Sequence, residues 1–279
     1  MLLELAIGDA YGAGFEYADP QIVQEYNDLS KFIQHPRHQI KPGCYTDDTQ
    51  MSIAIAEAIL SQEPWIPELL ASKFVAAFKR DPREGYASKF YDFLLKVNDG
   101  AEFLAKINFS SDKSGAAMRA VPIGVLPRIE KVIEYCQIQA AITHNTPDGI
   151  NAALASALMS HYFIYQLGPK KDLGIFLESN VPGQWSQPWQ GEVKSKGWMS
   201  VRAAITAITR HDSMREILKD CIAFTGDVDT VGAIALAAAS CSTEVAQDLP
   251  THLIETLEND SYGREYLIEL DEKLMSNIK

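Results

Sequence analysis

Apolar residues recur at intervals of three and four along most of this chain, and no convincing stretch alternates as a half-buried strand must. Between 47 and 62, Met51, Ile55 and Ile59 stand four apart, with Ala54 and Ala58 beside them. Between 148 and 166, Ile150, Leu154 and Leu158 do the same, interleaved with Ala153 and Ala157. Val201, Ala204, Ile205 and Ile208 mark one face over 197–210, and Val231, Ile234, Ala235, Ala238 and Ala239 mark another over 228–241. Such stripes are the buried faces of helices, and their alanine lets helix backbones approach closely. Further helices are predicted over 67–79, 86–97, 116–121, 128–141, 213–223, 244–257 and 263–275. The proline- and glycine-punctuated stretches 28–46 and 179–197 read as irregular. The pattern predicts an all-α fold, and neither irregular stretch has the length of a linker. With 279 residues, 47% of them hydrophobic, one large core is available, and a single domain over 1–279 is expected.

Charge narrows the function classes. Lys and Arg number 25 against 37 Asp and Glu, a formal net charge of −12. Such a chain repels a phosphate backbone unless its basic residues are segregated, and Lys170-Lys171 and Lys194-Ser195-Lys196 are too short for that. Nucleic acid as the main partner is therefore disfavoured. No apolar run approaches the roughly 18–20 residues of a membrane span. The first residues carry no basic run and meet Glu4, so no secretory signal is expected and the chain reads as cytoplasmic. Cys44, Cys136, Cys221 and Cys241 form no C-x-x-C pair and read as reduced packing residues.

Two acidic helix openings carry the chemistry. Thr46-Asp47-Asp48-Thr49 precedes one apolar stripe, and Gly226-Asp227-Val228-Asp229-Thr230 precedes another about 180 residues on. Capping explains one oxygen at each site, because a Thr or Asp side chain accepts from the orphan amides of a first helical turn. Each segment supplies two carboxylates and a threonine. If the helices pack side by side, four carboxylates meet and repel unless neutralised, and two divalent cations balance them. The ligands are hard oxygens without cysteine or histidine, which favours Mg²⁺, Mn²⁺ or Ca²⁺.

Gly8-Asp9-Ala10-Tyr11-Gly12 with Glu16, the run Tyr45 to Met51 and the run Gly226 to Ile234 together resemble the ADP-ribosylglycohydrolase family. That family includes dinitrogenase reductase-activating glycohydrolases, ADP-ribosylarginine hydrolase and the J1 crystallins. The resemblance implies a compact orthogonal bundle of helices around a binuclear metal site holding two Mg²⁺ or Mn²⁺ ions. It implies Thr46, Asp47, Asp48, Asp227, Asp229 and Thr230 as metal ligands, and Glu16, Asp48 and Asp229 as the catalytic set. Asp9 reads as a cap or support, with no catalytic role.

The stretch Ser110 to Arg119 resembles the family's diphosphate-binding segment, which makes Ser111, Ser114, Gly115 and Arg119 expected substrate contacts. Thr143-His144 resembles a pair beside the family's nucleotide cleft and adds His144. No such match attaches to His35, His38, His161, His211 or His252. The chain departs from the family in having Asp112-Lys113 where some members place an aromatic, Thr225 before Gly226 where two glycines are common, and Leu236 at a frequent glycine. The implied activity is hydrolysis of the glycosidic bond between ADP-ribose and an acceptor, either an ADP-ribosylated protein side chain such as arginine or a small ADP-ribosyl compound. Two rivals are a non-catalytic ADP-ribose-binding or crystallin-like protein and a two-metal phosphoesterase. The intact acidic clusters speak against the first, and the absence of histidine ligands from both clusters speaks against the second.

Overall fold

The structure, a computed structural model, describes residues 1–276 of the chain. Among these residues there are fifteen α-helices and no sheet. The helices are α1 (Leu2–Ala13), α2 (Pro20–Tyr26), α3 (Asp47–Leu60), α4 (Pro67–Arg80), α5 (Ser88–Lys96), α6 (Gly100–Lys106), α7 (Gly115–Met118) and α8 (Ile129–His144). They continue with α9 (Pro147–Ile164), α10 (Leu173–Asn180), α11 (Gly197–Arg210), α12 (Met214–Ala223), α13 (Val228–Ala239), α14 (Thr251–Thr256) and α15 (Arg264–Ser276). None of them is long and apolar enough to cross a membrane.

The core is organised around α13, every residue of which is buried. A helix apolar on all sides must be surrounded, and α1, α11 and α12 pack against this one. The closest approach is to α1. A Cβ added at Gly8 would lie 2.3 Å from the Gly232 carbonyl oxygen, and one at Gly12 would lie 2.4 Å from Asp229 Cα. The two backbones touch there, and nothing larger than glycine fits between them. This crossing sets Asp9 of α1 and Asp229 of α13 into one region of the molecule.

The alanine-rich stripes form α3, α9, α11 and α13, at the expected places. The stretch 28–46 contains no helix, and 179–197 contains none between the end of α10 at Asn180 and the start of α11 at Gly197. One predicted helix is corrected: 244–257 is helical only over Thr251–Thr256. Ala246 instead bonds across to the start of α12, donating to Asp212 O at 2.8 Å and accepting from Met214 N at 3.1 Å, and Pro250 opens the short helix that remains. The 116–121 helix is the single turn α7, followed by a 3₁₀ segment over Val121–Val125. Helices α1, α2, α6 and α10 were not among the sequence expectations. Two of them carry legible starts: Asp19 caps α2 ahead of Pro20, and Asp99 caps α6, accepting from Glu102 N at 2.8 Å.

The α1–α13 contact yields a prediction about stability. An alanine at an ordinary helical glycine gains about 1 kcal/mol of propensity. Gly8→Ala should do the reverse, because its methyl group has only backbone to push against, and should lose about 3 kcal/mol. Chemical denaturation checks this, and a variant as stable as wild type would refute the backbone crossing.

Candidate functional site

The capping explanation for the acidic helix starts meets a direct competitor in the structure. The α3 amides are capped from another helix, by Asp9 of α1. Its buried carboxylate accepts from Thr46 N at 3.0 and 3.1 Å, from Thr46 Oγ1 at 2.8 Å, from Thr49 N at 3.0 Å and from Thr49 Oγ1 at 2.6 Å. Thr46, the residue at the cap position, makes no side-chain cap bond, and neither does Asp227 at the start of α13. The carboxylates of Asp47, Asp48, Asp227 and Asp229 are thereby left for something else.

Those four side chains line one cleft of about 960 Å³, together with Thr230, Glu16 and the 110–115 segment. That volume suits a nucleotide-sized ligand. Glu16, Asp227 and Asp229 each offer a carboxylate oxygen within 4.8 Å of the others. Six buried side-chain oxygens among the described residues have no hydrogen-bond partner, and three of them are Asp48 Oδ1, Asp227 Oδ2 and Asp229 Oδ1. Buried polar atoms are otherwise almost always paired, so three orphans of one chemical kind in one cleft signal a partner of opposite charge. All-oxygen donors of this kind fit a hard divalent cation.

The electrostatics agree. Burial, reinforced by the neighbouring carboxylates Asp9, Asp47 and Asp227, pushes the Asp48 pKa well above the usual carboxylate range, with the Thr230 hydroxyl acting against it. Burial, Glu16 and Asp227 push Asp229 the same way. Asp227 is raised to about 7, first by burial and then by Glu16. Asp47 is raised by burial and then by the charges of Asp9 and Glu16.

The second acidic turn is braced by the irregular 179–197 stretch. Asp227 N donates to Val193 O at 2.9 Å, and Val193 N donates to Thr225 O at 2.9 Å. Tyr17 N donates to Gly226 O at 2.8 Å, which brings Glu16 to the same turn. Thr225 and Gly226 take φ values of +63° and +90°. Only glycine adopts this region freely, which gives a physical reason for the family's preference for two glycines here.

At the other end of the cleft, Arg119 is buried and donates to Gln139 Oε1 at 2.7 Å, to Gln139 O at 3.0 Å and to Thr143 Oγ1 at 2.8 Å. Because Thr143 Oγ1 accepts from Arg119, its own hydrogen is free to go to His144 Nδ1, 2.7 Å away. With that bond made, the remaining ring hydrogen is on Nε2, which faces Gly115: a Cβ there would lie 3.3 Å from it. Burial and the Arg119 charge lower the His144 pKa to about 3, so the ring is a neutral donor. Ser111, Ser114 and Gly115 line the cleft beside it. Arg119 thus stands behind His144, bonded to protein partners. Asp112, where some family members have an aromatic, is paired with Lys196.

No sequence feature marks His35. It lies in the irregular 28–46 stretch, without helical periodicity or a motif, yet its Nε2 is 2.7 Å from Glu16 Oε2. Only the fold of that stretch over the end of α1 could reveal the pair.

An all-α molecule with an uncapped carboxylate cleft between two helix starts is the class that fold and site define. The chain belongs to the ADP-ribosylglycohydrolase family, whose model matches residues 1–279. It is similar to an ADP-ribosylhydrolase ARH3 of Xenopus tropicalis, 30% identical over an alignment of 190 residues, covering 63% of this chain and 53% of that protein. It is also similar to the ADP-ribosyl-dinitrogen reductase glycohydrolase of Rhodospirillum rubrum, 25% identical over 261 residues, covering 92% of this chain and 88% of that one. The match thus spans about half the length of the first relative and most of the second. A solved structure described as an ADP-ribosylglycohydrolase-related protein complex superposes with a TM-score of 0.71 at 21% identity, over 100% of this chain and 96% of that one, which shows the fold.

Two predictions follow from the site. Thr225→Gly relieves a β-branched residue of a left-handed conformation and should stabilise the protein by about 0.5–1 kcal/mol after the entropy of glycine is subtracted, measured by denaturant titration. The second concerns pH. Carboxylates raised in the fold hold protons that the unfolded chain has released, so between about pH 4 and 7 the metal-free protein loses stability as pH rises. A cation replaces those protons. The gap in melting temperature between Mg²⁺- or Mn²⁺-loaded and chelated protein should therefore be wider at pH 8 than at pH 5, and an equal or narrower gap would contradict the site.

Proposed function

We propose that this protein is a metal-dependent hydrolase that cleaves the glycosidic bond between ADP-ribose and an acceptor, using water. The acceptor is an ADP-ribosylated protein side chain or a small ADP-ribosyl compound. The observation that carries the reading is the division of labour at α3: Asp9 does the capping, while Asp48, Asp227 and Asp229 leave buried oxygens unpartnered in one cleft.

Thr46, Asp47, Asp48, Asp227, Asp229 and Thr230 would hold two divalent cations, Mg²⁺ or Mn²⁺. When bound, such ions neutralise the cleft and supply Lewis acidity toward water and the ribose hydroxyls. Asp48 and Asp229, one from each helix start, fix the shape of that site. Glu16, at the end of α1 and facing Asp227 and Asp229, accepts the proton that water gives up as its oxygen joins the anomeric carbon. The bond from that carbon to the acceptor breaks, and the acceptor leaves with a proton.

Ser111, Ser114 and Gly115 receive the diphosphate. As first residues of α7, Gly115 and Ala116 have no intrahelical carbonyl for their N–H groups. His144 donates from Nε2 to the distal part of the ligand, oriented by Thr143 and Arg119. The names of the relatives support the hydrolytic reading, since both describe hydrolysis of ADP-ribosyl bonds.

Asp229→Asn should abolish turnover of every ADP-ribosyl substrate that the wild type hydrolyses. Because Asp229 caps nothing and sits among like charges, the chelated variant should melt no lower than chelated wild type. Ser114→Ala and His144→Ala should raise KM more than they lower kcat. Steady-state kinetics on arginine- and serine-linked ADP-ribosyl peptides, with thermal melts in chelator, test all three. Near-wild-type turnover by Asp229→Asn would defeat the proposal.

A further inference from the structure

We propose that His35 is a positioning residue for Glu16, a fixed neutral donor that holds the carboxylate toward the acidic cleft. The inference rests on the catalytic reading of Glu16 above.

Glu16 lies three residues beyond the end of α1, on a side chain long enough to take many orientations. Left to itself it would spend much of its time turned to water, and holding it costs side-chain entropy. Two groups hold it. The Arg37 guanidinium is 3.3 Å from Oε1, but its side chain is 53% exposed, so solvent and salt screen that pair. The His35 side chain is 1% exposed and its Nε2 lies 2.7 Å from Oε2.

The ring of His35 is itself immobilised. Its Nδ1 accepts from two backbone amides, Arg37 N at 2.9 Å and His38 N at 3.0 Å. A nitrogen that accepts from two donors carries no hydrogen. The ring hydrogen is therefore on Nε2, and the His35–Glu16 contact runs from N–H to carboxylate. A protonated ring would need Nδ1 as a donor and would expel both amides. The geometry thus leaves the ring one direction in which to donate, from Nε2 toward Glu16.

Glu16, His35 and His38 bring one ligand atom each within 4.8 Å of one another, the composition of a two-histidine, one-carboxylate zinc site. To bind a cation, Nε2 of a neutral His35 must give up its hydrogen to Nδ1. Nδ1 already receives two. His35 is instead arranged to orient Glu16, while the His38 ring faces Glu84.

Two substitutions separate positioning from loop structure. His35→Asn places Oδ1 where Nδ1 was, in the turn geometry that asparagine favours, and keeps the acceptor for both amides. It loses the donor to Glu16. His35→Gln keeps a donor that reaches Glu16 and loses the acceptor. If His35 positions Glu16, His35→Asn should melt with wild type, hold KM within about twofold and lower kcat by about 10- to 100-fold, the scale of a misplaced reacting group. His35→Gln should melt lower yet recover part of kcat. In a Glu16→Gln background, His35→Asn should lower kcat no further, since its only route of action is gone. Long-range ¹H–¹⁵N NMR of the metal-free full chain should show His35 protonated on Nε2 alone.

Wild-type kcat in a stable His35→Asn protein would overturn the proposal. So would multiplicative losses in the double variant, or an Nδ1–H tautomer. Should His35→Asn fail to fold, the tautomer and the His35→Gln kinetics decide. Full activity of Glu16→Gln would remove Glu16 from the reaction and this role with it. No turnover of any ADP-ribosyl substrate by wild type would instead strike the proposed function itself.

Discussion

The cleft depends on two helix backbones pressed together. Where α1 crosses α13, Gly8, Gly12 and Gly232 let the chains meet without side chains between them. One residue along α1, Asp9 reaches the start of α3 and supplies its cap. At the same level of α13, Asp229 faces the cleft. A single close contact thus places a cap, a carboxylate and, just past the end of α1, Glu16. Moving the helices apart by the width of a methyl group would disturb all three.

The capping arrangement inverts the usual economy of a helix start. A Thr-Asp-Asp sequence ordinarily serves its own amides. Here a carboxylate from a distant part of the chain does that work with four donors, and the local acids turn into the cleft. The result is electrostatically costly: several acids are buried together, and their pKa values rise because burial and mutual repulsion oppose ionisation. Such a site makes the metal-free fold less stable than the same fold with neutral residues would be. The α1–α13 packing holds these acids together against that cost.

The two ends of the cleft use histidine in parallel ways. His144 receives a hydrogen on Nδ1 from Thr143, and His35 receives two on Nδ1 from backbone amides. Each ring is left with its hydrogen on Nε2, aimed at the cleft in one case and at Glu16 in the other.

Much of this protein is legible in the chain itself. The repeat of Met51, Ile55 and Ile59, and of its counterparts in α9, α11 and α13, dictates helices because a 3.6-residue period can bury its apolar side in no other way. The two acidic openings are legible for the same local reason: more carboxylates stand at each start than a cap can use. The shortened 244–257 helix, the identity of the helix that Asp9 caps and the contact of His35 with Glu16 have a common cause. Ala246 is held by Asp212 and Met214, Asp9 by residues 37 and 40 positions away, and His35 by Glu16 across an irregular stretch. Periodicity and capping preferences act over one or two helical turns, so the sequence by itself determined the helices and the surplus of acid at their starts. Which group caps α3, which oxygens stay unpartnered and which histidine holds Glu16 were decided only when α1, α3 and α13 packed together, because a hydrogen bond is chosen by distance in space.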